Sequence, residues 1–202
     1  MSKVTDIQLQ KNNPGRYSVF IDGEFSFGIS DIDLYNLGIK IDVEVDDEFM
    51  KIIEETVDFK KCLDFATNLV SKKMYSKKEL ADKLILKGYT DSAVKSSMDI
   101  MEEYGYINDD VYAKTYCEFK GKKDGAKKIR YELALKGIRK DIIEKYVSEI
   151  DNDDILIKIL DNRIKGNIDD RKIIDKAIRY CMSKGFEYDK IKSCLIKLGK
   201  DV

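Results

Sequence analysis

The sequence predicts a mainly α protein in which three tandem three-helix repeats, forming an elongated array, follow a small antiparallel β meander. Apolar and polar side chains alternate along the first thirty residues, which is the pattern of a half-buried strand. From about residue 60 the apolar positions take a helical period instead. The helical part also repeats itself at a spacing of 49 and then 48 residues, which is typical of a repeat architecture.

The N-terminal strands are separated by turn chemistry. Residues 12–15, Asn-Asn-Pro-Gly, divide the first strand from the second, and Asp22-Gly23 favours a two-residue hairpin between the second and third. Ser30 is a candidate N-cap for a short helix that Gly38 ends. We therefore assign residues 1–45 to the meander with its short helix and residues 46–59 to a helical linker that begins near Asp47.

Three lysine–glycine pairs mark the repeat, and a large apolar residue follows each of them: Lys87-Gly88-Tyr89, Lys136-Gly137-Ile138 and Lys184-Gly185-Phe186. A glycine after an apolar helical face predicts a helix end with a positive φ angle. The predicted repeats cover residues 60–108, 109–152 and 153–202, with three helices in each. A unit of this size buries little apolar surface alone, so neighbouring repeats are expected to stack. Asn108 or Asp109 is placed to cap the helix that opens the second repeat.

The composition argues against an enzyme and against a metal site. The chain has no histidine, and its cysteines form no CxxC pair, so the commonest general base and the usual zinc motifs are missing. Neither a GxxxxGK[ST] nor a GxGxxG loop is present to hold phosphates. Four residues before the repeat glycine, the three repeats have Leu84, Leu133 and Cys181. Because leucine occupies this position in the first two repeats, we expect Cys181 to have a packing role. No segment has the length of a membrane span or the apolar core of a signal peptide, so we expect a cytoplasmic protein without cofactor or metal.

The charge is unevenly distributed, although the net charge is -1. Residues 1–59 carry 5 basic and 13 acidic side chains, whereas residues 60–146 carry 20 and 14. Within the middle segment, residues 114–140 hold 10 basic and 3 acidic side chains, so a local positive field is expected there. The alternative interpretation of these lysines is an ordinary solvated helix face.

Several short motifs, taken in their order and spacing, resemble the RecX family of recombination regulators over nearly the whole chain. The motifs are Ser76-Lys77-Lys78-Glu79-Leu80 with Gly88-Tyr89, Gly105-Tyr106-Ile107-Asn108-Asp109 followed by Tyr112-Ala113, and GAKKIRYELALKGI over residues 125–138. The meander around Phe20-Ile21-Asp22-Gly23-Glu24-Phe25 is similar to the extension of family members from Gram-positive bacteria. Two departures from the family pattern limit the transfer of contact residues. At positions 77, 78, 127 and 128 the chain has lysine where the family pattern has arginine, and lysine lacks the planar guanidinium that binds through two hydrogen bonds. The third repeat lacks the Glu-Leu pair.

The resemblance implies a non-enzymatic, monomeric protein of DNA repair and recombination that binds in the groove of the RecA filament on single-stranded DNA. Such binding would alter filament stability and inhibit ATP hydrolysis and strand exchange. The basic side chains of the first two repeats are the candidate partner-binding residues: Lys77, Lys78, Lys122, Lys123, Lys127, Lys128, Arg130, Arg139 and Lys140. Helical spacing predicts that Lys123, Lys127 and Arg130 point outward on one side, away from the Ile129 and Leu133 stripe.

Two other functions stay open at this stage. Three-helix units with a basic middle repeat are also typical of helix-turn-helix modules, so a direct DNA-binding protein is the alternative, and weak DNA contact is expected even in the first case. Lysines without a cluster of arginine, asparagine or glutamine favour phosphate contact over sequence readout. A helical scaffold for an unrelated protein is the other alternative.

Overall fold

A computed structural model describes residues 2–11, 13–166 and 170–199 of the chain. These ranges form four strands and ten helices, which confirms the mainly α fold with an N-terminal antiparallel sheet. The strands are β1 (Ser2–Leu9), β2 (Arg16–Ile21), β3 (Glu24–Ser30) and β4 (Glu44–Val45). The helices are α1 (Asp31–Asn36), α2 (Asp47–Val70), α3 (Lys77–Leu86), α4 (Asp91–Glu103), α5 (Asp109–Lys120), α6 (Ala126–Leu135), α7 (Lys140–Val147), α8 (Asp153–Ile164), α9 (Arg171–Ser183) and α10 (Tyr188–Lys197).

The sheet has the order β3-β2-β1-β4, and all of its pairings are antiparallel. The predicted hairpin is present, with φ angles of 51° at Asp22 and 87° at Gly23, as a two-residue primed turn requires. Asn12, in the other predicted turn, lies outside the described residues. Strand β4 was not predicted, because a two-residue strand in an acidic stretch has too short an alternation to recognise.

The chain divides into two compact units. The first comprises Met1–Lys72 with Ala81–Tyr104, and the second comprises Lys73–Leu80 with Gly105–Val202. In the first unit, the sheet and α2 share an apolar core made of Val4, Val19, Ile29, Ile39, Val45, Ile53 and Val57.

Helix α2 is continuous from Asp47 to Val70, so the expected linker of residues 46–59 and the first helix of the first repeat are one helix. The Asp46 carboxylate accepts a hydrogen bond from the Phe49 amide and caps the start of this helix. No proline or glycine occurs between Asp47 and Val70. Ser30 caps α1 as predicted, and of the two candidates before α5 it is Asn108 that supplies the cap.

The middle helices α3, α6 and α9 end at the three lysine–glycine pairs. The φ angles of Gly88, Gly137 and Gly185 are 94°, 78° and 86°, which confirms the predicted positive φ at each helix end. The residue four positions earlier is fully buried in every repeat, and Cys181 there belongs to the core of α8, α9 and α10. The packing role predicted for this cysteine therefore agrees with its position.

Repeats stack within the second unit through the same turns. The Ser76 hydroxyl, just before α3, donates to the carbonyl of Lys136 at 2.7 Å. One repeat later, the Gly125 amide donates to the carbonyl of Lys184 at 2.8 Å. A Cβ atom on Gly125 would lie 2.3 Å from the backbone of Gly185. The start of one middle helix thus rests on the end of the next, and glycine permits the close approach.

Candidate functional site

The nine candidate basic residues lie at four places in the fold. Lys77 and Lys78 form the first turn of α3, and Lys122 and Lys123 lie in the turn between α5 and α6. The others lie on α6, which carries Lys127, Lys128 and Arg130, and around the start of α7, which has Arg139 and Lys140. The expectation that Lys123, Lys127 and Arg130 share a helical face is wrong for Lys123, because this residue precedes α6.

Arg130 is ion-paired, although 39% of its side chain is exposed to solvent. Its guanidinium forms two hydrogen bonds to Glu144 of α7, at 2.7 Å from Nε to Oε1 and 3.1 Å from Nη2 to Oε2. The hydrogen bonds from Arg130 hold the pKa of Glu144 below its usual value, and those to Glu144 raise the pKa of Arg130. This bidentate pair links α6 to α7, so Arg130 is a structural residue of the second repeat.

Lys128 is bound to a buried carboxylate. Its ammonium lies 2.9 Å from Asp124, whose side chain is almost completely shielded from solvent. Two further ammonium groups, those of Lys120 and Lys184, lie 3.9 Å and 3.8 Å from the same carboxylate. The hydrogen bond with Asp124 raises the pKa of Lys128. A buried carboxylate destabilises the fold unless cations compensate its charge. Lys128 therefore helps to neutralise Asp124 where the second and third repeats meet.

The start of α3 is also tied into the second unit. The Lys77 amide donates to the Asp109 carboxylate at 2.9 Å, and the Glu79 carboxylate pairs with the Lys136 ammonium. The side chain of Lys78 packs on the helix end, because a Cβ atom on Gly137 would lie 2.6 Å from its Cβ atom. These lysines therefore contribute to repeat stacking through their backbone and aliphatic parts.

Four candidates keep exposed ammonium groups: Lys122, Lys123, Lys127 and Lys140. Within the described ranges, no carboxylate lies within 4.0 Å of any of the four. Lys123 lies 4.8 Å above the ring of Phe119, which is itself exposed. Arg139 is exposed too, but pairs with Asp141 at 2.6 Å. The four lysines can contact phosphates or carboxylates without first breaking an ion pair.

Sequence reasoning missed the network around Asp124. Its members Lys120, Asp124 and Lys128 are spaced at four-residue intervals, but Asp124 lies in the turn between α5 and α6, so no single helical face joins them. Only the fold shows that Asp124 is buried and that Lys184 approaches it from the next repeat. A cleft of about 250 Å³ between α5, α7 and α8, lined in part by Lys114, Lys122 and Glu149, also had no signal in the sequence.

The cysteine thiols are buried in the repeats: Cys62, Cys117, Cys181 and Cys194. Burial raises the pKa of Cys117 and of Cys181 to about 11, so both are protonated thiols at neutral pH. Among the residues that the structure describes, no three Cys, Asp or Glu side chains are grouped as a metal ion requires. No helix in the described part of the chain combines the length and the apolarity needed to cross a membrane.

A short antiparallel sheet followed by stacked three-helix units defines a tandem-repeat protein of the three-helix class. The family model of the regulatory protein RecX N-terminal domain matches residues 2–46. The models of the first and second three-helix domains of RecX match residues 62–99 and 108–146. The regulatory protein RecX of Clostridium botulinum is 36% identical over 199 residues, which cover 95% of this chain and 94% of the relative.

The chain therefore belongs to the RecX family. Solved structures of RecX proteins share its fold. The crystal structure of a regulatory protein RecX has a TM-score of 0.74 at 20% identity and covers 96% of this chain and all of that one. The crystal structure of RecX from Lactobacillus salivarius has a TM-score of 0.65 at 23% identity and covers 70% and 97%. These two likenesses concern the fold alone.

Proposed function

We propose that this chain binds the filament that the RecA recombinase forms on single-stranded DNA and lowers its ATP hydrolysis and strand exchange. The observation that carries the proposal is membership of the RecX family over almost the whole chain. The protein acts by binding and has no catalytic activity of its own. It works as a monomer in the cytoplasm and needs no cofactor.

The exposed lysines support this proposal. Lys122, Lys123 and Lys127 present positive charge around the start of α6, and none of them is engaged in an ion pair with another described residue. A nucleoprotein filament offers both phosphates and carboxylates to such groups. Long-range attraction to either partner would accelerate association and fix its orientation.

The decisive experiment is a titration into an ATPase assay of RecA on single-stranded DNA. We expect inhibition at fewer than one molecule of this chain per RecA subunit, because a protein bound in the filament affects several neighbouring subunits. A variant with glutamate at positions 122, 123 and 127 should inhibit less than the unmodified chain. Its matched control carries glutamate at three exposed lysines of the third repeat, Lys158, Lys172 and Lys176, and has the same net charge. Unchanged ATPase activity at a threefold excess of the unmodified chain would refute the proposal.

Direct binding to DNA is the second candidate function, and the same exposed lysines favour it. In that case the chain would bind single-stranded DNA without RecA at comparable affinity, and the binding would weaken steeply with salt. Binding that requires RecA distinguishes the filament regulator from the DNA-binding protein. We expect only weak binding to DNA alone.

A further inference from the structure

The outward faces of two middle helices expose large apolar side chains. On α6, Tyr131 is 64% exposed and Leu135 is 61% exposed, and on α3 Leu86 is 88% exposed. Leu86 and Leu135 hold the same position in their repeats, since each lies two residues before the glycine that follows the helix. A single exposed leucine on a protein surface needs no explanation. Two exposed leucines at the same position of two repeats do need one.

Packing inside the repeats does not account for these leucines. The core positions of the same helices are filled by Leu84 and Leu133, which are fully buried. Two residues further on, the helix has turned by about 200°, so Leu86 and Leu135 face away from the core. In the third repeat the equivalent residue is Ser183, which is exposed. The fold therefore accepts serine at this position, and the two leucines are not required for folding.

The charge beside the exposed face of α6 indicates the chemistry of what covers it. Lys127 lies one helical turn before Tyr131, is exposed, and has no ion-pair partner among the described residues. The single acidic residue of α6, Glu132, accepts a hydrogen bond from the Tyr116 hydroxyl and is pointed elsewhere. An apolar surface with an uncompensated cation is complementary to an apolar pocket bordered by carboxylates. A DNA backbone supplies the anions but no pocket for a leucine.

We propose that Leu86 and Leu135 are docking residues that enter two copies of the same apolar pocket, on a protein partner built from identical subunits, and that carboxylates border the pocket where Lys127 accompanies Leu135. The recurrence of one exposed leucine in two repeats matches a partner that presents one feature repeatedly. The inference rests on the proposed function, because a recombinase filament is such a partner. It adds the side chains and the pocket chemistry that give the contact its apolar part.

The test compares Leu86→Ser, Leu135→Ser and the double variant with Ile196→Ser, which removes an exposed apolar side chain of α10. Binding to RecA filaments on single-stranded DNA is measured by biolayer interferometry, and circular dichroism verifies folding. We expect each single variant to weaken binding about tenfold and the double variant about a hundredfold, whereas the control binds as the parent does. In addition, Leu135→Asp should weaken binding more than Leu135→Lys, because the pocket is bordered by carboxylates.

The outcomes separate this inference from the proposed function. If the parent chain does not bind the filament, the proposed function fails and this inference fails with it. If the parent binds and both serine variants bind equally well, only this inference is overturned. It is also overturned if the serine variants turn a dimer of this chain into a monomer in sedimentation velocity, or if they lose binding to single-stranded DNA without RecA.

Discussion

At the scale of the residue, glycine at the end of a middle helix can be required for two reasons, a positive φ angle and close approach of a neighbouring backbone. Gly88 needs only its positive φ angle, since a Cβ atom there would meet nothing within 4 Å in the described structure. Gly185 needs the same backbone conformation and also close approach, because its Cβ atom would lie 2.5 Å from the backbone nitrogen of Lys128. The first demand can be predicted from sequence, whereas the second depends on which repeat stacks against the turn.

Alanine at these two glycines should therefore have unequal effects. We expect Gly88→Ala to lower the free energy of unfolding by about 1 kcal/mol, the usual cost of a residue with Cβ at positive φ. Gly185→Ala should cost about 3 kcal/mol, because the backbone of the neighbouring repeat must also move. Urea denaturation of both variants measures the difference. Equal losses would contradict the assigned close approach at Gly185.

A second residue-scale prediction concerns Asp153, at the start of α8. Hydrogen bonds from Lys190 and Lys197 of α10 lower the pKa of Asp153 below its usual value of 3.8. A carboxylate with a depressed pKa stabilises the folded state above its unfolded pKa, and this contribution disappears as the pH falls through the folded pKa. Asp153→Asn should thus cost about 0.5–1 kcal/mol at pH 7, and progressively less below pH 4. Parallel stability curves of parent and variant from pH 7 to pH 2.5 would disprove the linkage.

At the scale of the element, α6 combines structural and solvent-exposed cations that look alike in the sequence. Lys127 is exposed, whereas Arg130 is bonded to Glu144 and Lys128 to Asp124. Helical spacing identified the buried stripe through Ile129 and Leu133 correctly, because that signal is local. The ion pair between residues 130 and 144 joins two helices, and no local pattern specifies how these helices cross.

Charge reversal in this region should separate the two kinds of cation. Replacing Lys122, Lys123 and Lys127 by glutamate should weaken ATPase inhibition of RecA at least tenfold and leave the melting temperature within about 2 °C of the parent, because these side chains make no ion pair. Arg130→Glu should instead lower the melting temperature, since it places two carboxylates against each other. Inhibition assays and thermal melts of both variants check this. Full inhibition by the triple variant would show that these lysines merely solvate the surface.

The element boundaries show which signals in the sequence were sufficient. The Asp22-Gly23 hairpin and the helix ends at the three glycines were predicted correctly, because each depends on the φ angles of one or two residues. The unbroken α2 was missed although its sequence contains no proline or glycine. The short β4 was missed because it depends on pairing with residues 2 and 3 of β1. The candidate lysines were named from the sequence and remain a prediction, and their division into paired and exposed side chains required the fold.

At the scale of the whole molecule, the four cysteines are distributed over all three repeats. Replacing Cys62, Cys117, Cys181 and Cys194 together by alanine removes one buried sulfur atom from each of the first two repeats and two from the third. We expect a loss of about 1 kcal/mol per site in the free energy of unfolding, with full ATPase inhibition at a temperature where the variant is folded. Zinc at one equivalent per chain in the purified parent, by plasma mass spectrometry, would contradict the packing role.

The stacking contact also determines where the array could be lengthened. In the first two repeats, the residue twelve positions before the repeat glycine donates a hydrogen bond to the turn of the following repeat; these residues are Ser76 and Gly125. In the third repeat that position is Ile173, which lies inside α9 and whose amide is already bonded to Asp170. A fourth module fused after residue 199 would therefore lack a residue on which its turn could stack. A copy of the second repeat inserted before the third could form the stacking contact with the repeat on each side of it. The stacking contact of the second repeat is thus one that an inserted copy of that repeat could reproduce.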